Sequence, residues 1–251
     1  MKLYVMKNGT LPLPKYVLNG AEAGLASGKE IVPSPVASYL IEHPEGNILF
    51  DVGNSIAFLK GIPDNISPLK HLEKINLTPD DIDYVVCSHL HGDHSGMLKH
   101  FLKSQIIVHE EEYTNVKKHW EQNTLNENYI SSDVNDWFTA DLNWNMVNGT
   151  MTRHTLVDGV EILSLGSGHS YGMLALYVHL PKSGGVVLTS DAVYCAANMK
   201  TMSGIMIDKD GYQSTVEYLA ELAEQEQAQL WYGHDKDQFA EMVLIENGHY
   251  E

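Results

Sequence analysis

The stretch that decides the fold is Tyr84-Val85-Val86-Cys87-Ser88-His89-Leu90-His91-Gly92-Asp93-His94-Ser95-Gly96. Its first four residues are apolar and predict a buried strand that leads straight into His89, His91, Asp93 and His94. His89 and His91 are two residues apart, so their side chains point the same way on an extended chain. Gly92 lets the backbone turn and aim the next two ligands elsewhere. The stretch therefore predicts ligands for two metal ions, and the alternative is a polar loop in a chain with 13 histidines.

Composition narrows the class of protein. The chain has 251 residues, 43% of them hydrophobic, and a net charge of −17. This content can fill a core, and the acidic charge argues against a nucleic-acid partner or an anionic membrane surface. Two cysteines imply no disulfide framework, and no run approaches the roughly twenty apolar residues of a membrane span. The apolar start at residues 1–6 is too short for a signal peptide, so we expect a soluble cytoplasmic protein.

Periodicity predicts alternating strands and helices without an internal repeat or a linker, and hence one domain over residues 1–251. Residues 7–33 show little periodicity. The predicted helices are 67–75 and one that opens at Ser214-Thr215-Val216-Glu217. The predicted strands are Leu3 to Met6, Ser38 to Glu42, Asn47 to Val52, Tyr84 to Cys87, Ile106 to Val108, Val160 to Leu165, Met173 to His179, Val186 to Thr189 and Gln229 to Tyr232. Intermixed strands and helices favour two packed sheets with helices outside.

The region 110–150 differs from the rest because it is polar and carries scattered aromatic residues. These are Trp120, Trp137, Phe138 and Trp144. We interpret it as a helical insertion or a flap. Its tryptophans either pack locally or line an apolar pocket beside the predicted site.

Three later strand ends repeat the pattern of a small residue followed by a ligand. They are Gly168-His169, Ser190-Asp191 and Gly233-His234. Imidazole and carboxylate ligands without thiolate suit Zn, Mn, Fe or Co. Five histidines and two aspartates fit two ions with one shared carboxylate, and we expect the other eight histidines at the surface or outside the ligand set. Asp51, at another strand end, is either part of the site or a turn cap.

The segment His89-Leu90-His91-Gly92-Asp93-His94 matches the His-x-His-x-Asp-His signature of the metallo-β-lactamase superfamily. His169, Asp191 and His234 follow in that family's order, and Phe50-Asp51-Val52-Gly53 resembles its Asp-x-Gly turn. Within the superfamily the chain resembles the N-acyl-homoserine lactonases. This rests on its length, on Asp191-Ala192-Val193-Tyr194 and on Tyr232-Gly233-His234-Asp235.

The resemblance implies an α/β fold, an αββα sandwich of two mixed β-sheets with helices on the outer faces. It also implies a lactone hydrolase with two divalent ions, most simply Zn. His89, His91 and His169 would bind one ion, Asp93, His94 and His234 the other, and Asp191 would bridge both. A metal-bridging hydroxide would attack the lactone carbonyl. Tyr194 would donate a hydrogen bond to the oxyanion, and Asp93 would protonate the leaving oxygen.

Other substrates fit the same metal chemistry. The alternatives are a pyridoxolactone-type lactone and a thioester, as in glyoxalase II-like members, which usually carry basic residues for glutathione. Gly92 stands where the lactonases often have an aromatic residue, and Gly168-His169-Ser170-Tyr171-Gly172-Met173 lacks their Pro-Gly-His ending. A non-enzymatic binding protein is the remaining class. The expected partner is a small-molecule lactone, and the sequence is compatible with a homodimer without fixing the oligomeric state.

Overall fold

A computed structural model describes residues 1–19, 30–55 and 66–251. Within these ranges the strands, in chain order, are β1 (Lys2–Pro14), β2 (Ile31–Glu42), β3 (Ile48–Phe50), β4 (Tyr84–Val86), β5 (Gln105–His109), β6 (Asn143–Val147), β7 (Thr152–Val157), β8 (Val160–Gly166), β9 (Met173–Leu180), β10 (Gly184–Ser190) and β11 (Gln229–Tyr232). The helices are α1 (Lys15–Asn19), α2 (Pro68–Lys74), α3 (Gly92–Ser95), α4 (Glu110–Glu121), α5 (Ser131–Thr139), α6 (Asn198–Thr201), α7 (Lys209–Gln225) and α8 (Lys236–Ala240). Short 3-10 turns cover Pro79–Asp81 and Leu98–His100.

The strands form two mixed sheets. The first has the order β1-β2-β3-β4-β5-β6 and the second the order β11-β10-β9-β8-β7. In the first sheet β3, β4, β5 and β6 run parallel, and in the second only the β10–β11 pair is parallel. Parallel neighbours need crossover connections, and α4 and α5 supply part of the one between β5 and β6.

Alternating side chains sort the core into layers. In β1, Leu3 and Val5 point between the two sheets, where they join residues such as Leu176 of the second sheet. Tyr4 and Met6 point to the outer face of the first sheet. The period of two along a strand produces this division.

Helices cover both outer faces. Leu72 of α2, Val116 of α4 and Trp137 of α5 lie in the cluster on the outer face of the first sheet. Leu219 of α7, with its neighbours on the same helix face, covers the second sheet. The four layers confirm the predicted αββα sandwich.

The region 110–150 contributes α4, α5 and β6. β6 pairs with β5 as the edge strand of the first sheet, and the helices pack on that sheet's outer face. The aromatic residues contact one another: the rings of Trp120 and Phe138 lie 5.2 Å apart, and those of Tyr113 and Trp144 lie 5.1 Å apart. The aromatic residues therefore pack against one another, as expected from the interpretation in which the tryptophans pack locally.

Several predicted boundaries were wrong. β1 continues to Pro14 and β2 starts at Ile31, so much of 7–33 is regular structure, and its part at 20–29 lies outside the described residues. The long helix α7 begins at Lys209, five residues before the predicted Ser214. Its N-cap is Asp208, whose side chain accepts a hydrogen bond from the Gly211 backbone N–H. The Ser-x-x-Glu pattern lies inside this helix, where it caps nothing.

None of the helices in the described ranges combines the length and the apolar character that crossing a bilayer requires.

Candidate metal centre

All seven predicted ligands come together at one edge of the two sheets. The segment after β4 and α3 carry the first four, the loop between β8 and β9 carries His169, and the ends of β10 and β11 carry Asp191 and His234. Gly233 allows this convergence because a Cβ there would lie 2.7 Å from the backbone of Ser190. The strand ends therefore deliver the ligands to a common point, and seven side chains from both sheets build it.

The first group of ligand atoms, here called the histidine cluster, is formed by His89, His91 and His169. His169 Nε2 lies 3.0 Å from His89 Nε2 and 2.9 Å from His91 Nδ1. All three side chains are buried. Three imidazole nitrogens so close together are the arrangement of a three-histidine metal site.

The second group, here called the mixed cluster, is formed by Asp93, His94, Asp191 and His234. His94 Nε2 lies 3.2 Å from Asp93 Oδ2 and 3.3 Å from Asp191 Oδ1. His234 Nε2 lies 3.0 Å from the same oxygen of Asp191. Two imidazoles and two carboxylates form a second site of a composition that binds Zn, Mn, Fe or Co.

Asp191 belongs to both groups by geometry. Its Oδ1 faces His94 and His234, whereas its Oδ2 lies 3.5 Å from His169 Nε2 in the histidine cluster. One carboxylate therefore turns a different oxygen to each cluster. This is the position that a bridging ligand must take.

The hydrogen bonds behind the rings fix which nitrogen faces the centre. Nδ1 of His169 lies 2.8 Å from the Ile205 carbonyl, and Nδ1 of His234 lies 2.7 Å from the Pro35 carbonyl. A carbonyl oxygen only accepts, so each Nδ1 carries a proton, and in the neutral ring each Nε2 presents a lone pair. His94 Nε2 and Asp191 Oδ1, both buried, have no hydrogen-bond partner among the residues that the structure describes. The donor set fits two divalent cations.

Burial and charge favour the ligand forms of His89, His91 and Asp191. Burial, followed by the neighbouring imidazoles, lowers the pKa of His89 and His91 well below the usual range. Burial acts to raise the pKa of Asp191, but His234 and His94 outweigh it and hold this pKa well below the usual range. For His94 and His234, burial acts to lower the pKa, but the neighbouring carboxylates outweigh it and raise the pKa of both rings. Neutral imidazole and ionised carboxylate are the protonation states that bind metal.

A buried carboxylate, Asp51, supports the mixed cluster from behind. Its Oδ2 accepts hydrogen bonds from His94 Nδ1 at 2.8 Å, from Ser88 Oγ at 2.8 Å and from Ser190 Oγ at 3.1 Å. Its Oδ1 accepts from the Ser88 backbone N–H at 2.7 Å. Asp51 and Ser190 both have left-handed backbone angles, φ 58° and φ 48°. Asp51 thus orients a ligand ring, and of its two interpretations the structure favours the one that includes it in the site.

Tyr194 lies between the two clusters. Its hydroxyl is 3.1 Å from His169 Nδ1, and its ring stacks on His234 at 5.3 Å between centroids. Because His169 Nδ1 carries a proton, the Tyr194 hydroxyl does not donate to it. Burial, then Asp191 and Asp93, raise the pKa of Tyr194 well above its usual value, so the phenol stays protonated. It can donate a hydrogen bond to a molecule bound at the centre.

A cavity of about 270 Å³ opens onto the clusters. The apolar side chains of Leu11, Pro12, Leu13 and Ile205 line one part of it, and Glu127 and Asn128 line another. The tryptophans of 110–150 do not line it. The cavity gives a small molecule with an apolar portion access to both clusters and Tyr194.

Sequence reasoning missed one buried acid near the centre, Glu112. It is fully buried in α4 and hydrogen-bonds to the backbone of Leu90, between two ligands. A signal was present, because Glu112 is four residues before the buried Val116 and shares its helix face, whereas Glu111 is exposed. The polar character of Glu110-Glu111-Glu112 concealed it.

The sequence is similar to known proteins over its full length. The sequence model of the Metallo-beta-lactamase superfamily matches residues 31–224. The N-acyl homoserine lactonase AiiB of Agrobacterium fabrum is 30% identical over 275 residues, covering 100% of this chain and 99% of the relative. An N-acyl homoserine lactonase of Bacillus thuringiensis is 30% identical over 254 residues, covering 94% of each.

Solved structures agree with these sequence matches. A quorum-quenching N-acyl homoserine lactone lactonase superposes with a TM-score of 0.84 at 27% identity, covering 100% of this chain and 98% of that one. An N-acyl homoserine lactone hydrolase with N-hexanoyl-L-homoserine bound at its catalytic metal centre gives a TM-score of 0.81 at 26% identity, with the same coverage. The chain therefore belongs to the metallo-beta-lactamase superfamily of hydrolases and, within it, to the N-acyl homoserine lactonase family.

Proposed function

We propose that this protein is a dinuclear metal-dependent hydrolase that opens the lactone ring of N-acyl-homoserine lactones. The observation that carries the proposal is Asp191, whose two oxygens face the histidine cluster and the mixed cluster separately. One ion would be held by the histidine cluster and the other by the mixed cluster, with Asp191 shared. Zn is the ion that this set of imidazoles and carboxylates suits best, and Mn, Fe and Co fit the same ligands.

When bound, such a pair of ions supplies a hydroxide nucleophile at neutral pH and a Lewis acid for the carbonyl. The residues of the chain position the substrate and handle charge and protons. Attack on the lactone carbon forms a new C–O bond and places negative charge on the carbonyl oxygen. The protonated Tyr194 phenol donates a hydrogen bond to that oxygen.

Asp93 is suited to the proton transfer that completes ring opening. Burial acts to raise its pKa, but His94 outweighs this and keeps the pKa below the usual value, so the resting group is a carboxylate. It can accept the proton of the attacking hydroxide once the new C–O bond has formed and deliver it to the ring oxygen as the ester C–O bond breaks. The product is an acyl-homoserine with a free hydroxyl and a carboxylate. Asp93 also lines the cavity, where the leaving oxygen must lie.

The cavity favours a lactone with an apolar chain over a glutathione thioester. Leu11, Leu13 and Ile205 offer apolar surface for an acyl chain. Among the described residues that line the cavity there is no Lys or Arg. The carboxylates of glutathione would lack the cationic partners that they usually require.

A substrate panel tests the proposal. Purified protein with Zn²⁺ or Mn²⁺ is followed in a pH-stat on short- and long-chain N-acyl-homoserine lactones, a pyridoxolactone and a glutathione thioester. We expect acid release from the acyl-homoserine lactones, loss of activity with a chelator and recovery with added metal. His169→Ala should abolish the activity, and His179→Ala, which alters an exposed histidine, should preserve it. Metal-loaded protein that opens no acyl-homoserine lactone would disprove the substrate assignment.

A further inference from the structure

Glu112 is a buried carboxylate that the proposed reaction does not use. It occupies the first turn of α4, and its side chain is 0% exposed. Burial raises its pKa to about 6, although the N–H and O–H groups that it accepts from act in the opposite direction. An ionisable side chain buried at such a cost needs a structural or functional reason.

The partners of Glu112 come from three different segments. Its Oε1 accepts hydrogen bonds from the Leu90 backbone N–H at 3.0 Å and from the Tyr129 hydroxyl at 3.1 Å. Its Oε2 accepts from the Gly172 backbone N–H at 3.3 Å. One carboxylate therefore connects the segment after β4, the segment between α4 and α5, and the loop before β9.

Each of these three partners lies next to a residue of the histidine cluster or on the same segment. Leu90 lies between His89 and His91 in the chain, so the position of its backbone determines where both imidazole side chains are attached. Tyr129 packs against the His91 ring at 4.8 Å between centroids, at an angle of 68°. Gly172 belongs to the same loop as His169. By contrast, the His94 ring of the mixed cluster donates its Nδ1–H hydrogen bond to Asp51.

We propose that Glu112 is a positioning residue that holds the histidine cluster, and not the mixed cluster, in its metal-binding arrangement; this rests on the metal-binding role in the proposed function. A carboxylate suits the position because both of its oxygens accept hydrogen bonds. A glutamine of the same shape would turn its NH₂ group toward either Leu90 N–H or Gly172 N–H. Two donors would then face each other in a buried site, which costs more than the loss of one bond.

The test measures Zn²⁺ affinity separately at each cluster. A background with His91→Ala and His169→Ala retains only the mixed cluster, and one with Asp93→Ala and His234→Ala retains only the histidine cluster. Competition with a chromophoric chelator gives the dissociation constant in each. We expect Glu112→Gln to weaken Zn²⁺ binding about 10- to 100-fold in the histidine-cluster background, the usual effect of losing a supporting partner. In the mixed-cluster background it should change little.

Two further variants keep the test decisive. Glu111→Gln removes a charge from the same helical turn at an exposed position and should leave both affinities unchanged. Tyr129→Phe removes one of the bonds to Glu112 and should weaken the histidine cluster in the same direction but less; it decides the matter if Glu112→Gln does not fold.

Equal weakening at both clusters, or a lower melting temperature with unchanged affinities, would overturn the positioning role. Wild-type protein that binds no Zn²⁺ would overturn the proposed function itself, and the inference about Glu112 would fall with it. Because the readout is metal affinity, a failure of the lactone assay alone leaves the test of Glu112 intact.

Discussion

The histidine cluster and the mixed cluster share Asp191 but are supported in different ways. Asp51 bonds directly to a ligand ring of the mixed cluster, through His94 Nδ1 at 2.8 Å. Glu112 instead reaches the histidine cluster through the backbone N–H groups of Leu90 and Gly172 and through the Tyr129 hydroxyl. The left-handed backbone of Asp51 and Ser190 also lies on the side of the mixed cluster. One ring of the mixed cluster is thus oriented directly by a carboxylate, whereas Glu112 acts on the histidine cluster through the segments that carry its rings.

The largest effect should come from Asp191, which the two clusters share. Asp191→Ala removes the oxygens that face His169 on one side and His94 and His234 on the other. We expect both Zn²⁺ affinities to fall by more than about 100-fold, because a ligand is lost and not only a supporting partner. Chelator competition on the purified variant measures this. Asp237→Asn, at an exposed acid, is the matched control. If only one ion weakens, Asp191 is not shared.

A substitution at Tyr194 distinguishes an effect on catalysis from an effect on metal binding, because Tyr194 contacts one histidine of each cluster. Tyr194→Phe keeps the ring that stacks on His234 and removes only the hydroxyl near His169 Nδ1. We expect kcat for acyl-homoserine lactone opening to fall about 100-fold, as when an oxyanion donor is removed, with both Zn²⁺ affinities unchanged. Steady-state kinetics beside the metal titration checks this. A parallel loss of metal would instead make the hydroxyl a support of His169.

Asp51 orients a side chain of the mixed cluster, as we propose that Glu112 does for the histidine cluster. Asp51→Asn is the suitable change because asparagine also tolerates the left-handed backbone angle of φ 58° at this position. The variant loses the charge opposite His94 and turns an NH₂ group toward other donors. We expect Zn²⁺ binding to weaken about 10- to 100-fold in the background that retains only the mixed cluster.

Asp51 also accepts from Ser88, whose hydroxyl lies 3.0 Å from His89 Nδ1, so a smaller effect should reach the histidine cluster. When Asp51→Asn is combined with Glu112→Gln, the losses in Zn²⁺-binding free energy caused by the two substitutions should add to within about 0.5 kcal/mol if the two residues act independently. A larger deviation would show that the two clusters are held by one connected network.

The seven residues that meet at the candidate centre could be selected from the sequence because each follows an apolar run at a strand end. That pattern is local, so His89 or Asp191 can be identified without knowing the fold. The αββα architecture followed from intermixed strands and helices together with the resemblance to a known family. The local sequence pattern thus predicted the residues of the candidate centre, and the resemblance to a known family predicted the arrangement of the layers.

Residues that hold the candidate ligands in place, such as Glu112, were harder to predict because their partners lie far away in the sequence. Glu112 meets Leu90 and Gly172 only after α4 packs on the first sheet, 22 and 60 residues away in sequence. The edge strand β6 is largely exposed and contains two asparagines, which are depleted in strands, so it gives little strand signal. Tertiary packing decides such features, and a single sequence carries no direct record of it.

A buried histidine outside the two clusters offers the smallest test. His71 of α2 is 1% exposed, with Nε2 2.9 Å from the Lys7 carbonyl and Nδ1 3.3 Å from Glu246 Oε1. Burial lowers its pKa below 6.5, against the opposing effects of the Lys7 carbonyl and Glu246. The unfolded chain therefore takes up a proton more readily than the folded one. The stabilisation from neutral His71 is present above pH 6.5 and is lost as the pH falls from there toward the folded pKa.

His71→Gln isolates this contribution because glutamine keeps an N–H donor for the Lys7 carbonyl and does not titrate. Between about pH 7 and about pH 5.5, the melting temperature of the Zn²⁺-loaded variant should fall less than that of wild type, by a few degrees at most. His179→Gln, at an exposed histidine, should match wild type. If His71→Gln also matches it, the acid sensitivity of the protein arises elsewhere, and the imidazoles of the metal centre become its leading source.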